Sequence, residues 1–186
     1  MDKKLRNLRP TRVLWVDLEM TGVVPTKDLI LEVAAIVTDW DFKEVASFEG
    51  AIKHKESAVK KRMKTNADFW NANTASRDGL LEQNQHGKSL KTIENELLKF
   101  VDDNFKAGVP VLLAGNSIHM DRRFIVNYWP KLDAKLHYRM LDVSAWKVVF
   151  EGKYKTKFAK PDNHRALDDI RGSIQELQYY LTRLKS

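Results

Sequence analysis

The run Val13-Leu14-Trp15-Val16-Asp17-Leu18-Glu19-Met20 sets two acids into an otherwise apolar stretch. Side chains alternate between the faces of a strand, so Asp17 and Glu19 point the same way, with Cα atoms about 6–7 Å apart. Ionised carboxylates in a half-buried strand are costly unless a cation compensates them. A pair of hard divalent ions bound by oxygen is one solution. A Lys or Arg for each acid is the other.

Three more groups extend this pair. Asp121 follows a Gly115-Asn116-Ser117 turn, Asp169 stands near the start of a C-terminal amphipathic stretch, and His164 lies just before it. Two divalent ions about 3.5–4 Å apart can activate a water and stabilise the leaving oxygen in phosphodiester hydrolysis, and carboxylates hold such ions. An imidazole with an ordinary pKa of about 6.5 is suited to take the water's proton.

The elements that must position these groups follow from pattern. Residues 13–22, 29–39 and 46–52 read as three strands, and their short connections imply antiparallel hairpins. Residues 57–71 are basic and loosely helical. Residues 89–105 carry Ile93, Leu97, Leu98 and Val101 at helical spacing, a packing helix. A short apolar strand over 109–114 turns at Gly115 into a helix with Asp121, Arg122 and Arg123 that Pro130 stops. Residues 138–143 are a further strand, and the Lys-rich run 151–160 reads as an exposed loop. The last helix is expected to open at Asp162-Asn163-His164, with Asp162 or Asn163 as its cap. Its apolar positions are Ala166, Ile170, Ile174, Leu177, Leu181 and Leu184. At about 100° per residue, Asp169 falls roughly 100° from the centre of that face and Asp168 roughly 160° from it. Asp169 therefore meets a cleft and Asp168 meets water.

Composition bounds the rest. The chain has 186 residues, 43% of them apolar, enough for one buried domain over 13–186 behind a basic tail, 1–12. The absence of Cys excludes disulfides, a thiol nucleophile and Cys-ligated zinc, and suits a reducing compartment. No apolar run is long enough to cross a membrane, so a soluble cytoplasmic protein is expected. The formal charge of +7 favours a polyanionic partner. Gly87-Lys88-Ser89 lacks the Gly that a phosphate loop needs five residues before Gly87, where Glu82 stands. His54, His86, His119 and His137 read as surface or structural, and Trp15, Trp40 and Trp146 as core aromatics. Asp142 is expected to orient a loop or pair with an Arg.

Asp17-Leu18-Glu19, Asp121 behind Gly115-Asn116, and His164-x-Ala166-x-x-Asp169 resemble the three motifs of the histidine-containing DEDD exonucleases (DEDDh). The fuller strings 15–22, 115–118, 121–124, 138–144 and 168–171 resemble the oligoribonucleases in particular. That resemblance implies a ribonuclease H-like α/β fold: a mixed five-stranded sheet, three antiparallel strands first and parallel additions after, flanked by helices. It implies a homodimer that removes nucleotides from the 3′ end of very short single-stranded RNAs, down to dinucleotides, with two Mg²⁺ or Mn²⁺ ions per site. Carried onto this sequence, it makes Asp17, Glu19, Asp121 and Asp169 the metal ligands and His164 the general base. Val23 matches the apolar wedge and Trp70 the base-stacking aromatic. Ser117, Arg139 and Ser144 match the cap on the 5′ phosphate, and Tyr138 the aromatic offered to a partner's site.

Two positions depart from the family pattern: Val23 is usually Leu, and Ala75 stands where a His is usual between Trp70 and Gly79. A related exonuclease acting on longer RNA or DNA, and a silent nucleic-acid-binding module, are the alternatives.

Overall fold

The computed structural model describes residues 10–159 and 165–184. The chain opens with three strands, β1 (Val13–Met20), β2 (Ile30–Thr38) and β3 (Glu44–Ala51). Four helices follow, α1 (Glu56–Thr65), α2 (Ala67–Ala72), α3 (Thr74–His86) and α4 (Leu90–Asn104). Next come β4 (Val111–Gly115), α5 (His119–Tyr128), α6 (Pro130–Asp133), β5 (Leu136–Asp142), α7 (Val143–Tyr154) and α8 (Ala166–Arg183). The sheet order is β3-β2-β1-β4-β5. β1–β2 and β2–β3 pair antiparallel through loops 21–29 and 39–43, whereas β4 and β5 join parallel after helical crossovers. This is the mixed five-stranded sheet that the family resemblance implies.

All nine residues of β2 are buried, because helices cover both faces of the sheet. The alternation of β1 divides the core. Leu14, Val16 and Leu18 enter one cluster with α4 and α5, while Val13 and Trp15 enter the other with Ile170, Ile174 and Leu177 of α8. Continuing that alternation, Asp17 and Glu19 emerge on the α8 face. Pairing of β1 with β4 is confined to Leu14–Leu113 and Trp15–Ala114. The two parallel strands therefore splay at their carboxyl ends, where open α/β sheets form crevices. A Cβ on Gly115 would lie 2.9 Å from the Val16 carbonyl and 2.8 Å from Ile118, so only glycine lets the chain leave β4 here.

Several expectations change. Residues 151–154 belong to α7 rather than to a Lys-rich loop; Phe150, buried against Tyr180 at 4.6 Å, carries the helix on, and Lys155 ends it in the left-handed region at φ 55°. Pro130 ends one helix and also opens α6, its fixed φ suiting the first turn. α3 was not read from sequence. α8 begins at Ala166 with Arg165 in the cap position and no side-chain cap, so the Asp162 or Asn163 cap is not borne out; both residues lie outside those described. Trp40 is 46% exposed rather than core, its indole N–H donating to the Pro10 carbonyl. The tail expected over 1–12 falls outside the described residues up to position 9, and Arg12 at its end donates to the Asn104 carbonyl at 2.9 Å.

Candidate active site

Asp17 and Glu19 meet Asp169 of α8 where β1 leaves the core. One oxygen from each of these three carboxylates lies within 4.8 Å of the others. The helix packs its apolar face, Ala166 and Ile170, against Trp15 and Ala34, which turns Asp169 toward the strand and leaves Asp168 exposed. Asp121, in the first turn of α5, is only 6% exposed and accepts the Leu18 backbone N–H at 3.0 Å. That amide is available because β4 no longer borders β1 at this point. Asp121 is thus anchored to the strand residue between the other two strand acids, yet stands outside their 4.8 Å group.

The electrostatics favour cation binding. Burial pushes the Glu19 carboxyl up to about 8; repulsion from Glu32, Asp169 and Asp121 adds to it, and Arg165 opposes it. Burial also raises Asp121, against the lowering effect of the Leu18 amide. Arg165 is thus the only cation among the causes acting on Glu19, set against three acids. A hard divalent ion fits such an all-carboxylate donor set.

Glu32 is a residue the sequence reading missed. It stands directly opposite Glu19 across the β1–β2 ladder, is 2% exposed, and pairs with Arg165 at 3.5 Å. The signal was the same as for Asp17: an acid inside the apolar run Leu31-Glu32-Val33. His164 lies outside the described residues.

A cavity of about 300 Å³ adjoins Glu19, walled by Met20, Gly22, Val23, Asn66, Phe69 and Trp70. Val23 stands at it 62% exposed. Trp70 contributes a wall but is 3% exposed, its indole N–H held by the Thr21 carbonyl at 3.2 Å, while Phe69 beside it is 48% exposed.

In the turn before α5, Ser117 meets Ser144 of the first turn of α7. Their hydroxyls are 2.8 Å apart, and the Asp142 carboxylate accepts the backbone N–H of both, at 3.0 and 2.9 Å. Asp142 therefore orients a loop, as expected, and caps α7. Ser117 occupies the left-handed region at φ 52°, a strained conformation held by these contacts. Behind them Ser144 donates to Asn116, whose amide donates at 3.1 Å to the buried Glu176. Arg139 and Tyr138 on β5 are exposed, the guanidinium 5.5 Å from the ring. Neither Asn116 nor Glu176 was singled out from sequence, because their roles exist only through this network.

The splayed mixed sheet carries an acidic cage at the carboxyl end of its central strand, and the RNase_T exonuclease family matches residues 14–177, which makes this a nuclease of the exonuclease class. The curated oligoribonuclease of Ectopseudomonas mendocina is 37% identical over 175 residues, covering 92% of this chain and 94% of its own. That of Neisseria meningitidis serogroup C is 40% identical over 172 residues, 89% of this chain and 88% of its own. Among solved structures, the zinc-bound E. coli ExoI–ssDNA complex superposes with a TM-score of 0.64 at 15% identity, over 94% of this chain and 41% of that longer enzyme. The chain belongs to the oligoribonuclease family of exonucleases and is a 3′-to-5′ exoribonuclease, a hydrolase of phosphodiester bonds.

Proposed function

We propose that this protein removes single nucleotides from the 3′ end of very short single-stranded RNAs, dinucleotides included, releasing 5′-mononucleotides. The observation that carries this reading is the three-carboxylate group within 4.8 Å beside a cavity of about 300 Å³ walled by Val23, Phe69 and Trp70. In it, Asp17, Glu19 and Asp169 would hold two Mg²⁺ or Mn²⁺ ions, with Asp121 adding a fourth carboxylate. When bound, such ions lower the pKa of the attacking water and neutralise charge on the leaving oxygen. His164 takes the proton from that water. Val23 and Trp70 wall the space that takes the terminal base. Ser117, Ser144 and Arg139 meet the 5′ end, where a planar guanidinium can chelate phosphate oxygens. Ala75 in place of an imidazole weakens that cap.

The working unit is a homodimer in which the exposed Tyr138 serves the neighbouring site; Tyr138 is 49% exposed on β5, and Val148 and Val149 of α7 are 71% and 50% exposed. Residues 13–186 form the catalytic domain behind a basic lead segment, in a cytoplasmic protein. No helix among the described residues is long and apolar enough to cross a membrane.

A series of 5′-labelled RNAs and DNAs from two to about twenty nucleotides, with Mg²⁺, Mn²⁺ or EDTA, tests this. The expected result is metal-dependent release of mononucleotides, fastest on the shortest RNAs. Equal rates across length, or a preference for DNA, would point instead to an enzyme of longer strands.

A further inference from the structure

The turn between β1 and β2 carries the exposed Val23 on a base shut off from water. Val23 is 62% exposed, against 0% for Thr21 and 1% for Asp28. One carboxylate organises that base. Asp28 Oδ1 accepts the Thr21 hydroxyl at 3.1 Å and the Arg62 fork at 3.1 and 2.8 Å, while Oδ2 accepts the Val24 N–H at 2.9 Å. Asn66 and Trp70 follow Arg62 at helical spacing, and both donate to the Thr21 carbonyl, at 2.9 and 3.2 Å. From the opposite side α5 supplies Asn127 to the Pro25 carbonyl at 2.9 Å and the Tyr128 hydroxyl to the Asp28 carbonyl at 2.6 Å. Gly22 threads between: a Cβ there would lie 2.4 Å from Asn66 Nδ2 and 2.7 Å from Asp28 Oδ2.

We propose that Asp28 is a positioning residue for substrate: through Thr21 and Val24 it holds Gly22 and Val23 as a rigid apolar wall of the cavity beside Glu19. This rests on the reading that the cavity receives the terminal nucleotide. A wall that is already ordered spares the complex the entropy of ordering it, so its effect falls on binding. Asp28 is absent from the three-acid group, so the chemical step is unaffected. A fully solvated turn would leave Val23 to sample many positions, and the hydrophobic contact would have to be assembled on each encounter.

The test compares Asp28→Asn, Arg62→Lys, Val23→Ala and the double variant Val23→Ala/Asp28→Asn, each assayed well below its own Tm. On a short oligoribonucleotide, Asp28→Asn raises KM about tenfold with kcat within about twofold, the pattern of lost binding. Val23→Ala gives a similar rise, and the double variant is no worse than the larger single, because one residue acts through the other. For Asp28→Asn, kcat for hydrolysis of bis(p-nitrophenyl) phosphate, read at saturation, stays within about twofold of the wild type, because Asp28 lies outside the three-acid group. Arg62→Lys keeps the charge pair but loses the fork, gives the same pattern at smaller amplitude, and serves if Asp28→Asn fails to fold. Additive effects in the double variant, a loss confined to kcat, or equal losses on RNA and aryl diester overturn the proposal and leave Asp28 a purely structural residue. A wild-type enzyme inactive on RNA but active on the aryl diester would instead sink the reading of the substrate, and the proposal with it.

Discussion

Glu19 and Asp28 are two acids nine positions apart, on the end of β1 and on the turn that follows it. Around Asp28, two oxygens receive four donor contacts, two of them from a guanidinium. Around Glu19 stand the carboxylates of Glu32, Asp169 and Asp121, and burial drives its pKa up to about 8. Both acids cost free energy to bury. For the first, the protein supplies the compensating charge itself; for the second it leaves a deficit that a divalent cation can fill. The difference separates an acid compensated within the protein from one left able to take a cation.

The largest effect expected from this contrast is on turnover. Replacing Asp17 or Asp169 with Ala should lower kcat/KM on a short RNA by about 10³-fold or more, since Lewis-acid stabilisation is worth several kcal/mol and each 1.36 kcal/mol is tenfold. The far-UV circular dichroism spectrum should stay that of the wild type. Retained turnover in either variant would remove that acid from the cage.

Loss of the proposed general base comes next. His164→Ala is expected to slow single-turnover hydrolysis by about 10²–10⁴ while leaving Mn²⁺ binding intact by calorimetry. Weakened metal binding would reassign the imidazole as a ligand.

On the structural side of the contrast, Asp28→Ala strands the Arg62 guanidinium and should cost about 3 kcal/mol in urea unfolding, the low end for breaking a buried pair because Arg62 keeps 25% of its side chain in water. A cost well under 1 kcal/mol would show that the two acids are not different in kind.

The last prediction is a pH dependence of opposite sign to the usual one for a carboxylate. With its folded pKa near 8 against an ordinary 4.5, Glu19 holds its proton more tightly folded than unfolded. Stability of the metal-free protein therefore falls as pH rises between those values. Thermal melts in EDTA should show Tm dropping across that window, less so in Glu19→Gln. Added Mg²⁺ should recover most at the alkaline end, where the ligands are deprotonated. A flat profile in the wild type would mean that the cage carries no charge deficit.

Much of the site was readable in one dimension because its signals are local. Asp17 and Glu19 share a face by strand alternation, and the turn of α8 separates Asp169 from Asp168 by angle alone; the structure has Asp168 exposed and Asp169 in the cage. β2 was legible as a strand from its apolar run, but Glu32 within it was passed over. α3 escaped notice because only Leu80 and Asn84 of its thirteen residues are buried, too sparse a pattern to show a period. Trp70 was legible as an aromatic near the site, yet not as one held edge-in by a carbonyl 49 residues away.

Residue order alone determined which side chains could do chemistry: the acids on one strand, the acid behind a Gly-Asn turn, the acid on one flank of the last helix. Only the tertiary structure decided which acids were left short of positive charge. Glu19 and Glu32 look alike as acids within apolar strands, and Arg62 and Arg165 reach Asp28 and Glu32 through contacts 34 and 133 positions apart in the chain. Charge compensation is a property of distance in space, and it distinguishes the cage from its scaffold.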